Sequence, residues 1–163
     1  MPESAVLSRK SVGREAGTPA SILIIDDEAA IRESLTTLLE LENYAVESAD
    51  TGEQGLARLG DRPFDLVLLD FALPDRNGAE VLRDIRDRDP QLPVIMITAY
   101  GTVENAVQAM QAGATNFIQK PWDNEKLLAD VRAAVARRRA EEENVQLKRA
   151  LKEIGRASCR ERV

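Results

Sequence analysis

The sequence predicts an α/β fold, a doubly wound parallel sheet with helices on both faces. Short runs of consecutive aliphatic residues recur along the chain, and such runs are typical of strands buried on both faces. Segments with apolar residues at helical spacing separate these runs, which indicates βαβ units. Acidic, hydroxyl or amine side chains end or directly follow most of the runs, at the edge of the sheet where open α/β folds keep their sites.

The composition and charge of the chain argue against several classes of function. The 163 residues, 44% of them hydrophobic, are enough for one domain with a buried core. The net charge is −6, and because both ends are slightly basic, the acidic middle disfavours nucleic-acid binding. The absence of histidine and the single cysteine, Cys159, exclude an internal disulfide, a Cys/His zinc site and a histidine base. No apolar run could span a membrane and no signal peptide is recognisable, so we expect a cytoplasmic protein.

Four segments are expected along the chain. Residues 1–19 are rich in Ser, Gly, Ala and charge without a period, which predicts a disordered leader. Residues 20–138 form the predicted domain. Residues 139–153 are highly charged and contain no Gly or Pro, which predicts a helical linker or stalk continuing the last helix. Residues 154–163 drop this pattern and resemble the in-frame translation of a common sequencing adapter, so we expect a non-native tail on a naturally longer protein.

Five short runs, most of them apolar, predict the strands. They lie at residues 21–25, 45–49, 66–70, 93–98 and 114–119. The third run is the clearest, because four aliphatic residues precede Asp70, and Pro74 and Gly78 then close a turn. The fifth run is the weakest of the set.

Segments at helical spacing follow these runs. They predict helices at residues 29–42, 52–59, 78–88 and 103–112, and a last helix from Asn124. Asn43, the loop at 60–63 and Pro90 end the first three. The residues expected to face the core in the first, third and last helices are Ile31, Leu35, Leu38, Leu39, Val81, Leu82, Ile85, Leu127, Leu128, Val131 and Val135.

The strand ends carry polar side chains. These are Asp26 and Asp27 after the first run, Asp70 at the end of the third, Thr98 at the end of the fourth and Lys120 after the fifth. Neighbouring acids raise one another's pKa unless a cation relieves them, which favours a metal site. The alternative is that Asp26 or Asp27 caps the next helix, with Glu28 favouring its dipole. Taken singly, Thr98 and Lys120 would be an ordinary strand-end hydroxyl and a solvated lysine.

With the first strand in the middle of the sheet, these five side chains converge on one site. Three carboxylates supply the hard oxygen ligands that suit one Mg²⁺. Lys120 and Thr98 then remain to hold an anion beside the cation. A phosphoryl group fits this arrangement most simply, and a carboxylate can accept it as an acyl phosphate.

Residues 20 to about 138 resemble the receiver domain of two-component response regulators. The matching motifs are the acidic run at 25–28, Asp70 with Pro74 and Gly78, the pair at 98–99 and the pair at 120–121, in this order and at these separations. The resemblance implies a flavodoxin-like (βα)5 fold with strand order 2-1-3-4-5. It also implies a signalling domain rather than an enzyme, one that takes a phosphoryl group from a partner histidine kinase and loses it by autodephosphorylation.

The resemblance assigns roles to the acidic residues. Asp70 would be the phosphoacceptor. Asp27 and Asp70 would ligate Mg²⁺ together with the main-chain carbonyl of Ala72, and Asp26 would act largely through water.

The resemblance also implies a conformational switch. Lys120 would pair with the phosphoryl oxygens, and its bond to Pro121 would be cis, which is least costly before proline. Thr98 would move toward the new oxygens, and Phe117 would follow into the vacated space. The face built by residues 103–135 is therefore the expected output surface.

The segments at 99–104, 120–123 and 141–149 resemble the NtrC-like, sigma-54-dependent transcription activators, so we expect a transcription-activating domain beyond this chain. A homodimer through the Val103 to Val135 face or the C-terminal helix is compatible with this, and a solvated helical tail is the alternative. Two other functions stay open. A Mg²⁺-dependent phosphohydrolase with an aspartyl nucleophile is disfavoured, because Ala72 leaves no second acid. A stand-alone receiver would act by protein interaction.

Overall fold

The structure, a computed structural model, describes residues 18–99 and 101–161. Of the disordered leader predicted for residues 1–19, residues 1–17 lie outside the described residues. The fold is a five-stranded parallel sheet in the order β2-β1-β3-β4-β5. The strands are β1 (Ser21–Ile25), β2 (Ala45–Ala49), β3 (Leu66–Asp70), β4 (Val94–Thr98) and β5 (Asn116–Gln119). The predicted α/β class and the strand order 2-1-3-4-5 are confirmed.

A helix follows each strand. The helices are α1 (Ala29–Leu41), α2 (Gly52–Asp61), α3 (Gly78–Arg88), α4 (Val103–Gln111) and α5 (Asn124–Glu161). Polar side chains begin three of them: Thr51 accepts from the Gln54 amide, Asn77 from Ala79 and Thr102 from Asn105. The alternation of strands and helices predicted from spacing is therefore what the chain adopts.

The two faces of the sheet bury separate clusters of apolar side chains. Ile22 and Ile24 of β1 face α1 and α5, whereas Leu23 and Ile25 face α2, α3 and α4. All five residues of β3 and of β4 are buried, as expected for parallel strands covered on both faces. The core therefore fixes the three central strands most firmly, and these are the strands that lead into the acidic site.

The fifth strand is shorter than predicted. It begins at Asn116 rather than at residue 114, and it lies at the edge of the sheet. Ala114 lies before the strand, where its side chain is buried in the apolar cluster and its amide donates to the Ala109 carbonyl near the end of α4. Because Ala114 is apolar and buried, the sequence pattern included it in the predicted fifth strand.

The last helix is one uninterrupted element of 38 residues. The continuous helix predicted through residue 153 is confirmed, but the predicted loss of helical structure at 154 is wrong, because the helix continues to Glu161. A single Gly155 lowers helix stability by only about 1 kcal/mol relative to Ala. No helix in the described part of the chain is long and apolar enough to cross a bilayer.

Two ion pairs anchor α5 at the edge of the sheet where the strands begin. Arg138 binds the Asp89 carboxylate through both terminal nitrogens, at 3.3 and 2.5 Å. Arg139 lies 3.7 Å from Asp65, the buried residue before β3, and donates to the Thr18 carbonyl. The helix is thus held at residues 138 and 139, and its side chains are exposed from residue 143 to residue 154.

Candidate functional site

The strand register brings the two buried acids together. Ile25 pairs with Leu69, so the next residues along β1 and β3, Asp26 and Asp70, lie side by side. Both are buried, with relative exposures of 2% and 5%. Two carboxylates at the carboxyl edge of a sheet are costly to bury unless a cation or hydrogen-bond donors compensate them.

Four carboxylates gather at this edge. Oxygen atoms of Asp26, Asp27, Glu28 and Asp70 lie within 4.8 Å of one another. Asp26 and Asp70 form the buried floor of this acidic cluster, and Asp27 and Glu28 form its exposed rim. The three predicted acids therefore meet, and Glu28, which the sequence indicated only as a helix-dipole partner, joins them.

Lys120 is the cation of the cluster. Its ammonium lies 2.7 Å from Oδ2 of Asp26, 3.4 Å from Oδ2 of Asp70 and 3.5 Å from Oε1 of Glu28. Burial lowers the pKa of Lys120, but the hydrogen bond to Asp26 and the surrounding carboxylate charges outweigh it and raise the pKa overall. Lys120 therefore stays charged at neutral pH, and the interpretation as a solvated loop lysine is wrong.

The carboxyl group of Asp70 ionises less readily than that of an ordinary aspartate. Its burial and the neighbouring Asp26 charge raise its pKa to about 6, against the opposing effects of Lys120 and of the Ala72 amide. The Ala72 amide donates to Oδ1 of Asp70 at 3.3 Å. Asp70 is thus mostly ionised at neutral pH and carries an unfavourable charge that a divalent cation would relieve.

Asp26 stabilises the turn that leads into α1 and does not cap the helix. Its Oδ1 accepts from the Glu28 amide at 2.9 Å, while Glu28 is the N-cap residue and makes no side-chain cap. The guanidinium of Arg32 donates to the Asp26 carbonyl at 2.8 Å. The capping alternative is therefore wrong for Asp26, and Arg32 is a neighbour of the site that sequence reasoning missed, although it lies four residues after Glu28.

Thr98 and Phe117 lie on the two strands beside Asp70. Thr98 is fully buried at the end of β4, and its carbonyl accepts from the Lys120 amide at 2.8 Å. Phe117 is half-buried and packs against the cluster that α2, α3 and α4 cover. The bond between Lys120 and Pro121 is cis, as the resemblance implied.

The loop between β3 and α3, residues 71–77, forms the remaining wall. Ala72 pairs with Asn77 in an antiparallel bridge, and the Gly78 amide donates to the Phe71 carbonyl at 2.7 Å. At the loop tip, Asp75 accepts from the amides of Gly52 and Glu53 in α2. The sequence analysis assigned no role to Asp75.

The donor set suits a hard divalent cation. Four carboxylates around one ammonium leave an excess of negative charge. Mg²⁺ prefers oxygen ligands and keeps several bound waters, so it suits a site that is open to solvent on one side. Asp27 and Asp70 offer an exposed and a buried oxygen, respectively. The residues present therefore fit Mg²⁺, with Lys120 beside the same oxygens to bind an anion.

The comparisons with known proteins agree with this geometry. Residues 22–132 match the family model described as the response regulator receiver domain. The transcriptional regulatory protein ResD of Bacillus subtilis (strain 168) is 40% identical over 116 residues, which cover 71% of this chain and 48% of ResD. The chain therefore spans about half the length of this relative.

Solved structures give the same result. A CheY-like response regulator receiver domain protein from Methanospirillum hungatei JF-1 is 37% identical, with a TM-score of 0.72, covering 76% of this chain and 98% of that chain. NtrX from Brucella abortus is 34% identical, with a TM-score of 0.73, covering 79% of this chain and 29% of that chain. With its strand order, its acidic cluster and its family match in agreement, this chain belongs to the response regulator receiver domain family.

Proposed function

We propose that this chain accepts a phosphoryl group on Asp70 and thereby switches an output surface. A histidine kinase on another chain would donate the group, since this chain has no histidine. The observation that carries the proposal is the convergence of Asp26, Asp27 and Asp70 with the Lys120 ammonium at one edge of the sheet. The proposed location is the cytoplasm.

The phosphoryl transfer uses Asp70 as the nucleophile. A carboxylate oxygen of Asp70 forms a bond to phosphorus while the bond from phosphorus to the donor's histidine nitrogen breaks, and the donor ring, which carries a proton on its other nitrogen, leaves as neutral imidazole. Because the pKa of Asp70 is about 6, the nucleophile is mostly ionised at neutral pH. Lys120, whose ammonium lies 3.4 Å from Asp70, would pair with the incoming phosphoryl oxygens.

The proposed cofactor is Mg²⁺, held by Asp27, Asp70 and the Ala72 carbonyl, with Asp26 acting through water. Bound Mg²⁺ supplies positive charge that offsets the phosphoryl oxygens next to the carboxylates. The buried Asp26 and its bond to Lys120 support an indirect role, because that carboxylate already has a cationic partner at 2.7 Å.

The proposed switch is carried by Thr98 and Phe117. A phosphoryl group adds about two negative charges and three acceptor oxygens, which can form charge-assisted hydrogen bonds. Thr98 ends β4, the strand next to Asp70, and Phe117 pairs with Met96 of the same strand. A shift of Thr98 would therefore change the packing around Phe117 and the surface of α4, β5 and α5.

The proposed output is a transcription-activating domain of the NtrC-like kind, as the resemblance of the segments at 99–104, 120–123 and 141–149 implies. The name of the relative ResD describes a transcriptional regulatory protein. In that protein the match covers 48% of the length, which leaves room for another domain.

One experiment tests the phosphoryl-accepting function. The chain is incubated with Mg²⁺ and acetyl phosphate, and intact mass is measured for wild type and for Asp70→Asn. An adduct of one phosphoryl group in wild type alone supports the proposal, and its absence in wild type contradicts it. Turnover of many phosphate esters would instead favour a phosphohydrolase, which the exposed, non-acidic Ala72 disfavours.

A homodimer is the proposed assembly, through the face around α4 or through the end of α5. On α4, Val103, Val107 and Met110 are exposed at a spacing of four and three residues. On α5, the seam of a parallel coiled coil between two copies would run along exposed residues that lie three and four positions apart. The positions that repeat at three and four residues there are Asn144, Leu147 and Leu151.

Charge complementarity supports the second of these surfaces. With Asn144 and Leu151 at the a positions and Leu147 at d, Glu143 takes a g position and Lys148 the next e position. In a parallel pair these two side chains face each other across the seam with opposite charge. An Asn at an a position favours two strands in register.

A further inference from the structure

We propose that Asp75 is a positioning residue, one that holds the β3–α3 loop so that its backbone serves the cation and the phosphoryl group at Asp70. This inference rests on the proposed function. Asp75 lies on the exposed tip of the loop and not among the four clustered carboxylates. Its action would therefore pass through the loop backbone.

The base of the loop touches the phosphoacceptor. The Ala72 amide donates to Oδ1 of Asp70 at 3.3 Å, and Ala72 is bridged to Asn77 across the loop. At Gly78 a side chain would collide with the backbone of Asp70 and Phe71, so the two ends of the loop are pressed together. A movement of the loop backbone would thus change the hydrogen bonds and ligands available to the Asp70 carboxylate.

The tip of the loop is fixed to a different helix. Oδ1 of Asp75 accepts from the Gly52 amide at 2.9 Å, and Oδ2 accepts from the Glu53 amide at 3.0 Å. These hydrogen bonds lower the pKa of Asp75 below its usual value. The carboxylate therefore uses both oxygens on the first two amides of α2, 23 and 22 residues away along the chain.

The geometry around Gly52 keeps this contact close. A side chain on Gly52 would lie 2.7 Å from Cγ2 of Val81, so the start of α2 packs directly against α3. The third amide of α2, that of Gln54, is satisfied separately by the Thr51 hydroxyl at 3.1 Å. Asp75 and Thr51 thus share the end of one helix, but only the Asp75 contact links that helix to the loop beside Asp70.

This division of labour provides a matched control. Asp75→Ala removes the tether and part of the helix cap, whereas Thr51→Ala removes part of the same cap and leaves the tether. Asp75→Asn keeps one acceptor oxygen and one of the two hydrogen bonds. A role in helix stability alone would affect the Ala variants alike, and a role in loop position would separate them.

The test measures the 163-residue chain in three ways. Amide hydrogen exchange without Mg²⁺ reports the loop, calorimetry reports Mg²⁺ binding, and intact mass reports phosphorylation by acetyl phosphate across a Mg²⁺ series. We expect Asp75→Ala to speed exchange at residues 72–78 and to weaken Mg²⁺ binding about 10-fold, the size seen for residues that orient metal ligands. Phosphorylation should slow at low Mg²⁺ and recover at saturating Mg²⁺.

The variants must fall in a fixed order. Thr51→Ala should bind Mg²⁺ as wild type does, and Asp75→Asn should show a smaller loss than Asp75→Ala. The inference fails if Asp75→Ala binds Mg²⁺ like wild type, or if Thr51→Ala loses as much. If wild type itself neither binds Mg²⁺ nor gains a phosphoryl group, the proposed function fails and this inference with it.

Discussion

Nζ of Lys120 lies 2.7 Å from Oδ2 of Asp26, although the two residues are 94 positions apart in the sequence. Both side chains are more than nine-tenths buried. The pair stands at the centre of the acidic cluster, so Lys120 offsets part of the repulsion between carboxylates that the strand register brings together.

The first prediction concerns this lysine. Lys120→Met should lower the free energy of unfolding of the metal-free chain by about 3 kcal/mol, because it leaves buried carboxylates without their cation. The same change should tighten Mg²⁺ binding, since the ammonium no longer competes for the same oxygens. Denaturant unfolding in a chelator and calorimetric titration measure the two effects. Lys126→Met, at an exposed position, should change neither, and weaker Mg²⁺ binding by Lys120→Met would contradict the idea.

The second prediction concerns the pH dependence of stability. The folded-state pKa of Asp70, about 6, lies above its unfolded value of 3.8, so ionised Asp70 destabilises the fold. This penalty is absent below about pH 4 and complete above about pH 6. Asp70→Asn should therefore stabilise the metal-free chain by about 3 kcal/mol near neutral pH and by much less at low pH.

Denaturant unfolding at several pH values measures this difference. Asp87→Asn, on the exposed side of α3, is the matched control and should leave the pH dependence unchanged. An equal stabilisation by Asp70→Asn at low and neutral pH would show that ionisation of Asp70 is not its cause.

The third prediction separates phosphorylation from switching. Thr98→Val keeps the volume of a fully buried side chain but removes its hydroxyl, whereas Thr98→Ser keeps the hydroxyl. Both variants should gain a phosphoryl group on Asp70. Trp122, the single tryptophan, lies two residues after Lys120, and its fluorescence should respond to phosphorylation in wild type and Thr98→Ser only. A full response in Thr98→Val would remove Thr98 from the switch.

The fourth prediction concerns assembly. If the end of α5 pairs with a second copy, Leu151→Glu should dissociate the dimer, because it buries a charge in the seam at an a position. Val107→Glu should instead dissociate a dimer formed through α4, where Val107 is exposed. Sedimentation equilibrium with both variants identifies the surface. A wild-type chain that stays monomeric at high concentration would contradict both surfaces.

Much of the fold followed from the sequence because β1, β3 and β4 are apolar runs that end on a polar residue or are directly followed by one. Val67, Leu68 and Leu69 have no polar neighbour until Asp70, so their burial and the position of the carboxylate are set together. Thr98 ends β4 in the same way. Local pattern therefore predicted which residues would reach the site edge.

Contacts that depend on how separate elements pack were missed. Asp75 meets α2 only because Gly52 allows α2 to approach α3 closely, and neither fact is visible in the loop sequence. Arg32 reaches the Asp26 carbonyl from the first turn of α1, a contact that depends on how α1 leaves β1. Glu28 lies next to Asp27 in the sequence, but its contact with Lys120 depends on where β5 ends in the folded chain.

The last helix starts four residues after Lys120 and, at 38 residues, is about 57 Å long. It leaves the edge of the sheet that carries the acidic cluster, crosses the face of the sheet and is held at the opposite edge by Arg138 and Arg139. Because an α-helix is stiff, a small tilt of its first turns about the contacts of Arg138 and Arg139 would displace its far end in the opposite direction. A domain attached at that end would respond to the angle of the helix and would not contact the acidic cluster itself.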